Sequence, residues 1–452
     1  MAKKQYTFID LFAGIGGFHL ALRKLGCKCV FASELQSELQ DMYYQNFKMK
    51  CYGDINQVNI AHDIPKHDIL CAGFPCQPFS QAGKQQGFQD QKDRGNLFYK
   101  IMEILEFHKP EFVFLENVPN LKSHDKGNTY RVIHRELSKL YEVADDIISP
   151  HYFGIPQHRN RIYIVGRLLE VGGLSGFTFP EHKERPVCKI QDILHPEDTD
   201  YMSLREMTRR HLAAWENFLK LLNKNNIPVP TFPIWAMEFG ATYDYQGLAP
   251  YYQQRRQLDN KCGKFGEIIT GNSKDDYLLC LPVYARTNKL DNRQFPNWKK
   301  NYIKWNREFY RDNKHWIDNW IHEIKQPGFE NSHQKFEWNC GGLAEDSTTL
   351  YDKIIQFRPS GIRVKLPTFS PALVLTTTQI PILPWVTTPK GEKGRYMTRK
   401  EAAHLQCMDD LKVYPDTCAK AFKAFGNAVN VEVVRRIAEK LLNTDYYANR
   451  ED

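Results

Sequence analysis

The stretch Phe8–Leu22, FIDLFAGIGGFHLAL, runs a β-rich apolar segment straight into a glycine cluster and then into an apolar run of helical spacing. Strand, glycine turn and helix in that order open a βα unit. The rhythm continues through residue 167. CKCVFASEL, HDILCAGF, EFVFLENV and RIYIVGR read as further strands, with helical candidates at His19–Lys24, Gln36–Asn46 and Leu97–Phe107 between them. Alternating strands and helices predict an α/β fold, a doubly wound and mostly parallel sheet. In such sheets ligands sit at the carboxyl ends of the strands, where the loops gather.

Glycine tolerates positive φ and lets backbone N–H groups approach a ligand closely, so a turn made of Gly14, Gly16 and Gly17 is a polar cradle. The dinucleotide fingerprint needs a third glycine at position 19, which is His19. Glu34 lies twenty residues beyond Gly14, where an acid suits the two hydroxyls of a ribose. Asp54 in YGDI ends a third segment and is placed to accept from an adenine amino group. This combination points to an adenosine ligand without a pyrophosphate, and S-adenosylmethionine is one. The competing reading of the turn is a plain strand-to-helix connection.

GFPCQPFS, Gly73 to Ser80, follows the strand HDILCA and puts Cys76 between two prolines at the same rim. An unperturbed thiol has a pKa near 8.5 and is only a few per cent ionised at pH 7, so a nucleophile here needs help. Arg159 and Arg161 of QHRNR are candidates to supply it. Cys29 and Cys71 read instead as inert buried thiols. Glu116, in ENV at the end of FVFLENV, is placed to protonate a ring nitrogen once burial raises its pKa. Taken alone, such a Glu is more often a helix cap or a surface carboxylate.

The bulk properties set the frame. The chain's 452 residues are too many for one core and imply two domains. A formal net charge of +8 suits a polyanionic partner, and no run of about 20 apolar residues suggests a membrane span or secretory signal. Eleven cysteines without a C-x-x-C pair argue against structural zinc or a disulfide scaffold and for a reducing cytoplasm.

From Leu168 to Gln356 the rhythm breaks, and Pro, Asn and aromatic residues interrupt every run. An irregular second domain is expected there. Residues 285–365 hold 15 Lys/Arg against 10 Asp/Glu, and five of the eight Trp fall between Trp298 and Trp338. Most of those tryptophans are expected in a core, with aromatic and basic contact to nucleic acid as the sharper alternative. Periodicity returns in 395–442, where AAHLQCM and VEVVRRIAEKLL read as two helices flanking the turn FGNAVN.

The ordered blocks DLFAGIGG, GDI, GFPCQPFS, RGNLFYKI, ENV, QHRNRIYIVG and AFGNAVNVEVV resemble the cytosine-5 DNA methyltransferases of bacterial restriction-modification type. The resemblance implies a Rossmann-like, S-adenosylmethionine-dependent catalytic domain over 1–167 and 357–442. It also implies a target-recognition, DNA-binding domain over 168–356 and a tail over 443–452. Cys76 would add to carbon 6 of a flipped cytosine, Glu116 would protonate N3, and Arg159 and Arg161 would hold the base. Carbon 5 would then receive the methyl group, leaving S-adenosylhomocysteine. Implied cofactor contacts are Phe12, Ala13, Gly14, Gly16, Gly17, Glu34, Asp54, Ile55, Pro75, Leu97, Asn427 and Ala428. Ser80 and Arg94, on the polar loop Ser80 to Asn96, would contact DNA. Leu35 stands where many members carry an aromatic residue.

The implied partner is double-stranded DNA, with no metal and no membrane. A cytoplasmic monomer is expected, sharing its site with a cognate restriction endonuclease. Two alternatives stay open: a tRNA cytosine-5 methyltransferase, and a DNA-binding protein that flips bases without catalysis. The long insert and FPCQPF favour DNA over tRNA, and the intact Cys76, Glu116, Arg159 and Arg161 favour an enzyme.

Overall fold

The computed structural model describes residues 4–75, 97–181, 188–341, 348–373 and 379–443. The chain forms two compact units, Met1–His195 with Thr368–Thr377 and Thr398–Asp452, and Pro196–Pro367 with Thr378–Met397. The division falls elsewhere than the expected 167/168 and 356/357. Residues 168–195 stay with the first unit, where Leu174, Cys188, Ile190 and Ile193 are buried. Strands beyond residue 356 complete the sheet of the second.

The first unit is built on β1 (Thr7–Leu11), β2 (Lys28–Ser33), β3 (Ile69–Gly73), β4 (Phe112–Asn117), β5 (Tyr141–Ile148) and β7 (Arg161–Leu168). A two-residue β6 (Gln157–His158) pairs in parallel with β12 (Ser370–Pro371). The large sheet has the order β2-β1-β3-β4-β7-β5. β1 to β4 are mutually parallel, as expected. β7 runs antiparallel to both β4 and β5. β5, YEVADDII, is absent from the strands read in the sequence because its alternation is polar and mostly half-buried. β4 is buried along its whole length, the mark of a strand covered on both faces.

Helices α1 (Gly17–Arg23), α2 (Ser37–Phe47), the one-turn α3 (Ile60–Asp63), α4 (Leu97–His108) and α5 (Asn128–Leu137) fill the crossovers. The returning segment forms α10 (Arg399–Leu405), α11 (Cys418–Asn427) and α12 (Val431–Leu441). FGNAVN is therefore not one turn between two helices: FGN is the last turn of α11, and only Ala428–Asn430 connects it to α12. α12 buries Val431, Val433, Val434, Ile437, Ala438 and Leu441 on one face, while Glu432 pairs with Arg435 and Arg436 on the other. The Asn430 side chain caps it by accepting from Val433 N.

The second unit is more regular than its sequence suggests. It holds the 19-residue α6 (Glu206–Lys224), short α7 (Arg255–Leu258) and α8 (Lys274–Leu279), and the 28-residue α9 (Asn297–Ile324). Its sheet comprises β8 (Ile234–Trp235), β9 (Lys335–Asn339), β10 (Ile354–Arg358), β11 (Gly361–Lys365), β13 (Ile382–Thr387) and β14 (Lys393–Tyr396), in the order β14-β13-β10-β11-β9-β8. Trp215, Phe218, Trp316, Trp320 and Trp338 pack in one core, whereas Trp298 and Trp305 of α9 are 53% and 39% exposed. Three of the five tryptophans between Trp298 and Trp338 thus lie in a core, as expected of most of them. Among the described residues, no helix is long and apolar enough to cross a membrane, and no group of three His, Cys, Asp or Glu could hold a metal ion.

Candidate active site

Four parallel strands deliver their carboxyl ends to one rim of the first unit. Beyond β1, Phe12 takes φ 56, Gly14 φ 55 and Gly16 φ 89. Gly16 N–H donates to the carbonyl of Ala13 at 2.8 Å, closing the turn. Glu34, just past β2, binds this turn directly. Its Oε2 accepts from Gly14 N–H at 2.9 Å and its Oε1 from Gln36 N–H at 2.9 Å. Each oxygen keeps a further lone pair, so the carboxylate is oriented and still able to accept from a pair of hydroxyls. Asp54 Oδ1 accepts from the backbone and side-chain N–H of Asn56, both at 3.0 Å.

These groups border a cavity of about 580 Å³. Phe12, Ala13, Gly14 and Gly17 line it from the turn, Glu34, Asp54 and Ile55 from the next two loops, and Pro75 and Leu97 from the third. Asn427 and Ala428 line it from the returning helices. Its size lies in the range of small-molecule sites. Leu35 also lines it and is 73% exposed.

Gly16 does not line this cavity. A Cβ there would stand 2.3 Å from Cε2 of Phe47, so the glycine lets the turn pack on α2. At Gly17 a Cβ would meet Cγ2 of Val429 at 2.6 Å, and this glycine admits the returning segment. His19, where the dinucleotide pattern has its last glycine, is buried beneath the turn. Its Nδ1 lies 2.7 Å from the Tyr43 hydroxyl and its ring stacks on Phe47 at 3.9 Å.

At the other end of the cavity stand Glu116, Arg159 and Arg161. Glu116 is buried on β4, and Arg161 Nε lies 3.0 Å from its Oε1. Burial pushes the carboxyl pKa up; Arg161 and then Arg159 pull it back, without cancelling the rise. The inverted strand explains the meeting. Because β7 is antiparallel, its amino end lies beside the carboxyl end of β4, with Asn117 opposite Ile162. A parallel β7 would have carried Arg161 to the opposite rim.

Arg159 is almost wholly buried. Its Nη2 donates to the carbonyl of Ala428 at 2.9 Å, and its backbone N–H donates to Ser149 Oγ at 2.9 Å. Its Nε and Nη1 have no hydrogen-bond partner among the described residues. Burial and the neighbouring Arg161 pull its pKa down to about 9, leaving it charged at neutral pH.

Cys76, Ser80 and Arg94 lie outside the described residues. The approach to Cys76 is described: Gly73 pairs in register with Glu116, and Pro75 lines the cavity. Asn117 Nδ2 donates to the carbonyl of Phe74 at 2.9 Å, fastening that approach to β4. Sequence reasoning passed over Asn117 and Val429, although each stands inside a quoted block (ENV and AFGNAVN). Cys29 and Cys71 are free thiols. Burial lifts Cys29 to about 12 and raises Cys71 far above its ordinary value, as expected of inert thiols.

Residues 6–443 match the C-5 cytosine-specific DNA methylase family. The chain is 34% identical over 349 residues to the type II methyltransferase M.NgoBI of Neisseria gonorrhoeae, a match covering 67% of this chain and 99% of that protein. It is 29% identical to M.AluI of Cellulosimicrobium cellulans, across 98% of this chain and 93% of that one. To M.HaeII of Haemophilus aegyptius it is 46% identical over 218 residues, 47% of this chain and 65% of the relative. For M.HhaI of Haemophilus parahaemolyticus the relative's share is 59%, so the chain spans under two thirds of these last two proteins. A mutant DNMT2 of Spodoptera frugiperda shares the fold with a TM-score of 0.50 at 16% identity, over 97% of this chain and 99% of that one. With the family matched along nearly its whole length, this chain belongs to the C-5 cytosine-specific DNA methylases.

Proposed function

We propose that this protein methylates carbon 5 of cytosine within a specific double-stranded DNA sequence, taking the methyl group from S-adenosylmethionine and protecting DNA against a cognate restriction enzyme. The observation that carries this reading is the convergence of Glu116, Arg159, Arg161 and the approach to Cys76 on one cavity whose far end presents Glu34 and Asp54.

The cavity's chemistry suits the cofactor. Glu34 is held ready for ribose hydroxyls, Asp54 for an adenine amine, and Phe12 and Ile55 offer apolar contact to a purine. Ala13, Gly14 and Gly17, with Pro75, Leu97, Asn427 and Ala428, would enclose the rest. S-adenosylmethionine, when bound, supplies an electrophilic methyl group.

Carbon 5 of cytosine is a weak nucleophile, and the protein's residues raise its reactivity. The Cys76 thiolate forms a bond to carbon 6 while Glu116, whose pKa burial raises, gives its proton to N3. Carbon 5 becomes enamine-like and is methylated. Loss of its proton then drives out Cys76 and restores the ring. Arg161 orients Glu116, and the unpaired N–H groups of Arg159 are available to the base. The base must first leave the duplex, at a cost of a few kcal/mol. Ser80 and Arg94 would contact the strand it leaves. The second unit, with the basic bias of residues 285–365, would recognise the target.

Trapping tests the reading. Duplex DNA carrying 5-fluorocytosine, incubated with the protein and S-adenosylmethionine, should yield a covalent complex that Cys76→Ser abolishes. Trapping by tRNA and by no DNA would transfer the reading to an RNA substrate. DNA binding without transfer of labelled methyl would leave a base flipper without catalysis. Bisulfite sequencing of DNA from cells expressing the chain then reads out the site.

A further inference from the structure

The N-terminus of α9 carries an unusual arrangement of charge. This 28-residue helix begins after Pro296 with no capping side chain and no acid in its first turn, where Lys299 stands instead. A helix N-terminus already bears partial positive charge, so lysine there is unfavourable without an anion. A second, independent observation points the same way. Lys335 of β9 is only 9% exposed, yet its ammonium has no hydrogen-bond or carboxylate partner among the described residues. It stands 5.0 Å from the Trp235 ring and 5.4 Å from that of Tyr284. Lys299 stands over the same Tyr284 ring at 5.4 Å.

Two ammoniums therefore share one aromatic wall. Burial pulls Lys335 down to about 8, the charge of Lys299 adding to the effect. The carboxylate beyond that wall is already committed: Glu238 pairs with Arg307 Nε at 2.9 Å and accepts from the hydroxyls of Tyr243 and Tyr284. Lys300 is likewise taken, donating to the Gln246 carbonyl at 2.6 Å. Asn306 fixes the geometry, since its Oδ1 accepts from Trp235 N–H and its Nδ2 donates to the Pro233 carbonyl.

We propose that Lys299, Lys335 and the free N–H groups opening α9 bind a phosphodiester of the nucleic-acid backbone. The choice of ligand rests on the DNA reading above. It draws support from Trp298, Tyr302 and Trp305, which recur at helical spacing from the same terminus with ring centroids 5.6 and 5.8 Å apart. Such a stripe beside a phosphate suits apolar contact with the backbone sugars. The contact positions the duplex and carries no base preference of its own.

The test is the salt dependence of duplex binding by the full chain, followed by fluorescence anisotropy with a labelled random-sequence duplex. The double variant Lys299→Gln/Lys335→Met should lower the slope of log Kd against log salt by about 0.9, the share of the single phosphate both lysines hold, and each single variant should lower it by part of that. Lys335→Arg should keep the slope, and S-adenosylmethionine affinity should not change. A double variant with the wild-type slope overturns the site. If Lys335→Met does not fold, Lys299→Gln alone decides, on the same criterion. If inorganic phosphate raises the wild-type melting temperature but not the double variant's, while the duplex slope is unmoved, the pocket holds free phosphate and the backbone assignment fails. A wild type that binds structured RNA but no duplex DNA, with a slope that the variants lower, would keep the site and overturn the DNA reading instead.

Discussion

Arg159 donates from Nη2 to the carbonyl of Ala428 across 269 residues of sequence, at 2.9 Å. Ala428 lines the cavity, and the next residue, Val429, packs on Gly17 of the glycine turn. One guanidinium thus joins the rim that carries Glu116 to the returning segment that also lines the cavity. Ser149 pins its backbone from below. The two ends of the cavity are mechanically one piece.

Removing that guanidinium should be felt at both ends. Arg159→Met leaves a buried carbonyl without its donor, a loss of about 1–3 kcal/mol. It also frees the turn at Ala428. Urea unfolding should show the destabilisation, and calorimetric titration with S-adenosylhomocysteine should show weaker binding. Unchanged cofactor affinity in a folded variant would mean that the contact is only structural.

Glu116 should set the alkaline side of the activity profile. Its folded pKa is raised, so it keeps a proton that a free glutamate has lost, and gives it up as pH rises through the raised value. Cys76 thiolate grows over the same interval, giving a bell. Glu116→Gln should lower kcat about 10²–10⁴-fold and remove the descending limb. The stability sign follows from the same shift. A raised carboxyl pKa stabilises at low pH and is lost on going up, so the Gln variant should gain on wild type as pH rises from the ordinary 4.5 through the raised value. A gain that shrinks over that interval would refute the burial argument.

Most of the fold's first half was legible because each parallel strand is a short apolar run with a turn signal. The inversion at β7 was not: RIYIVGR reads the same in either direction, and the YEVADDII strand that brings the chain back is too polar to register. Yet that inversion is what places Arg161 beside Glu116. In the second unit, α9 was hidden by tryptophans and asparagines that break apolar spacing while burying Ile303, Asn306, Ile317 and Trp320 on one side. Cofactor candidates were legible wherever an acid or glycine ended a strand. At Gly16 a glycine needed for packing looks the same in sequence as one needed for a ligand.

That difference can be measured. Gly16→Ala meets both a positive φ and the Phe47 ring, and should cost about 2–4 kcal/mol of stability. Gly14→Ala pays only for its φ of 55, about 1 kcal/mol, because nothing lies within 4 Å of the added Cβ. That methyl would point into open space beside the cavity, so cofactor affinity should fall more in Gly14→Ala than in Gly16→Ala. Thermal unfolding and cofactor titration on both variants should give opposite rankings; the same ranking in both would contradict the packing role of Gly16.

The tryptophans of α9 should separate in the same way. Trp320 is 1% exposed and its Nε1 donates to the Ala214 carbonyl at 2.8 Å, so Trp320→Ala should cost about 3–5 kcal/mol. Trp298→Ala removes an exposed ring and should change stability by no more than about 0.5 kcal/mol while weakening duplex binding. Chemical denaturation with parallel binding measurements checks both. A Trp298 variant with intact binding would take that ring out of the duplex contact.

His19 should make the stability of the fold acid-sensitive. Burial, helped by the charge of Arg23, lowers its pKa to about 3, so the folded protein keeps it neutral where the unfolded chain protonates it near 6.5. Between those values the unfolded state binds the extra proton, and stability must fall as pH falls, by up to about 1.4 kcal/mol per pH unit. His19→Phe keeps the stack on Phe47 but forfeits the bond to Tyr43, about 1–3 kcal/mol at every pH. The variant should therefore be the weaker protein near pH 8 and lose less than wild type on acidification. Urea unfolding from pH 8 to about 4.5 gives the two slopes. Equal slopes would mean that other buried histidines, such as His67, set the acid limit and that the ring beneath the glycine turn is a passive filler.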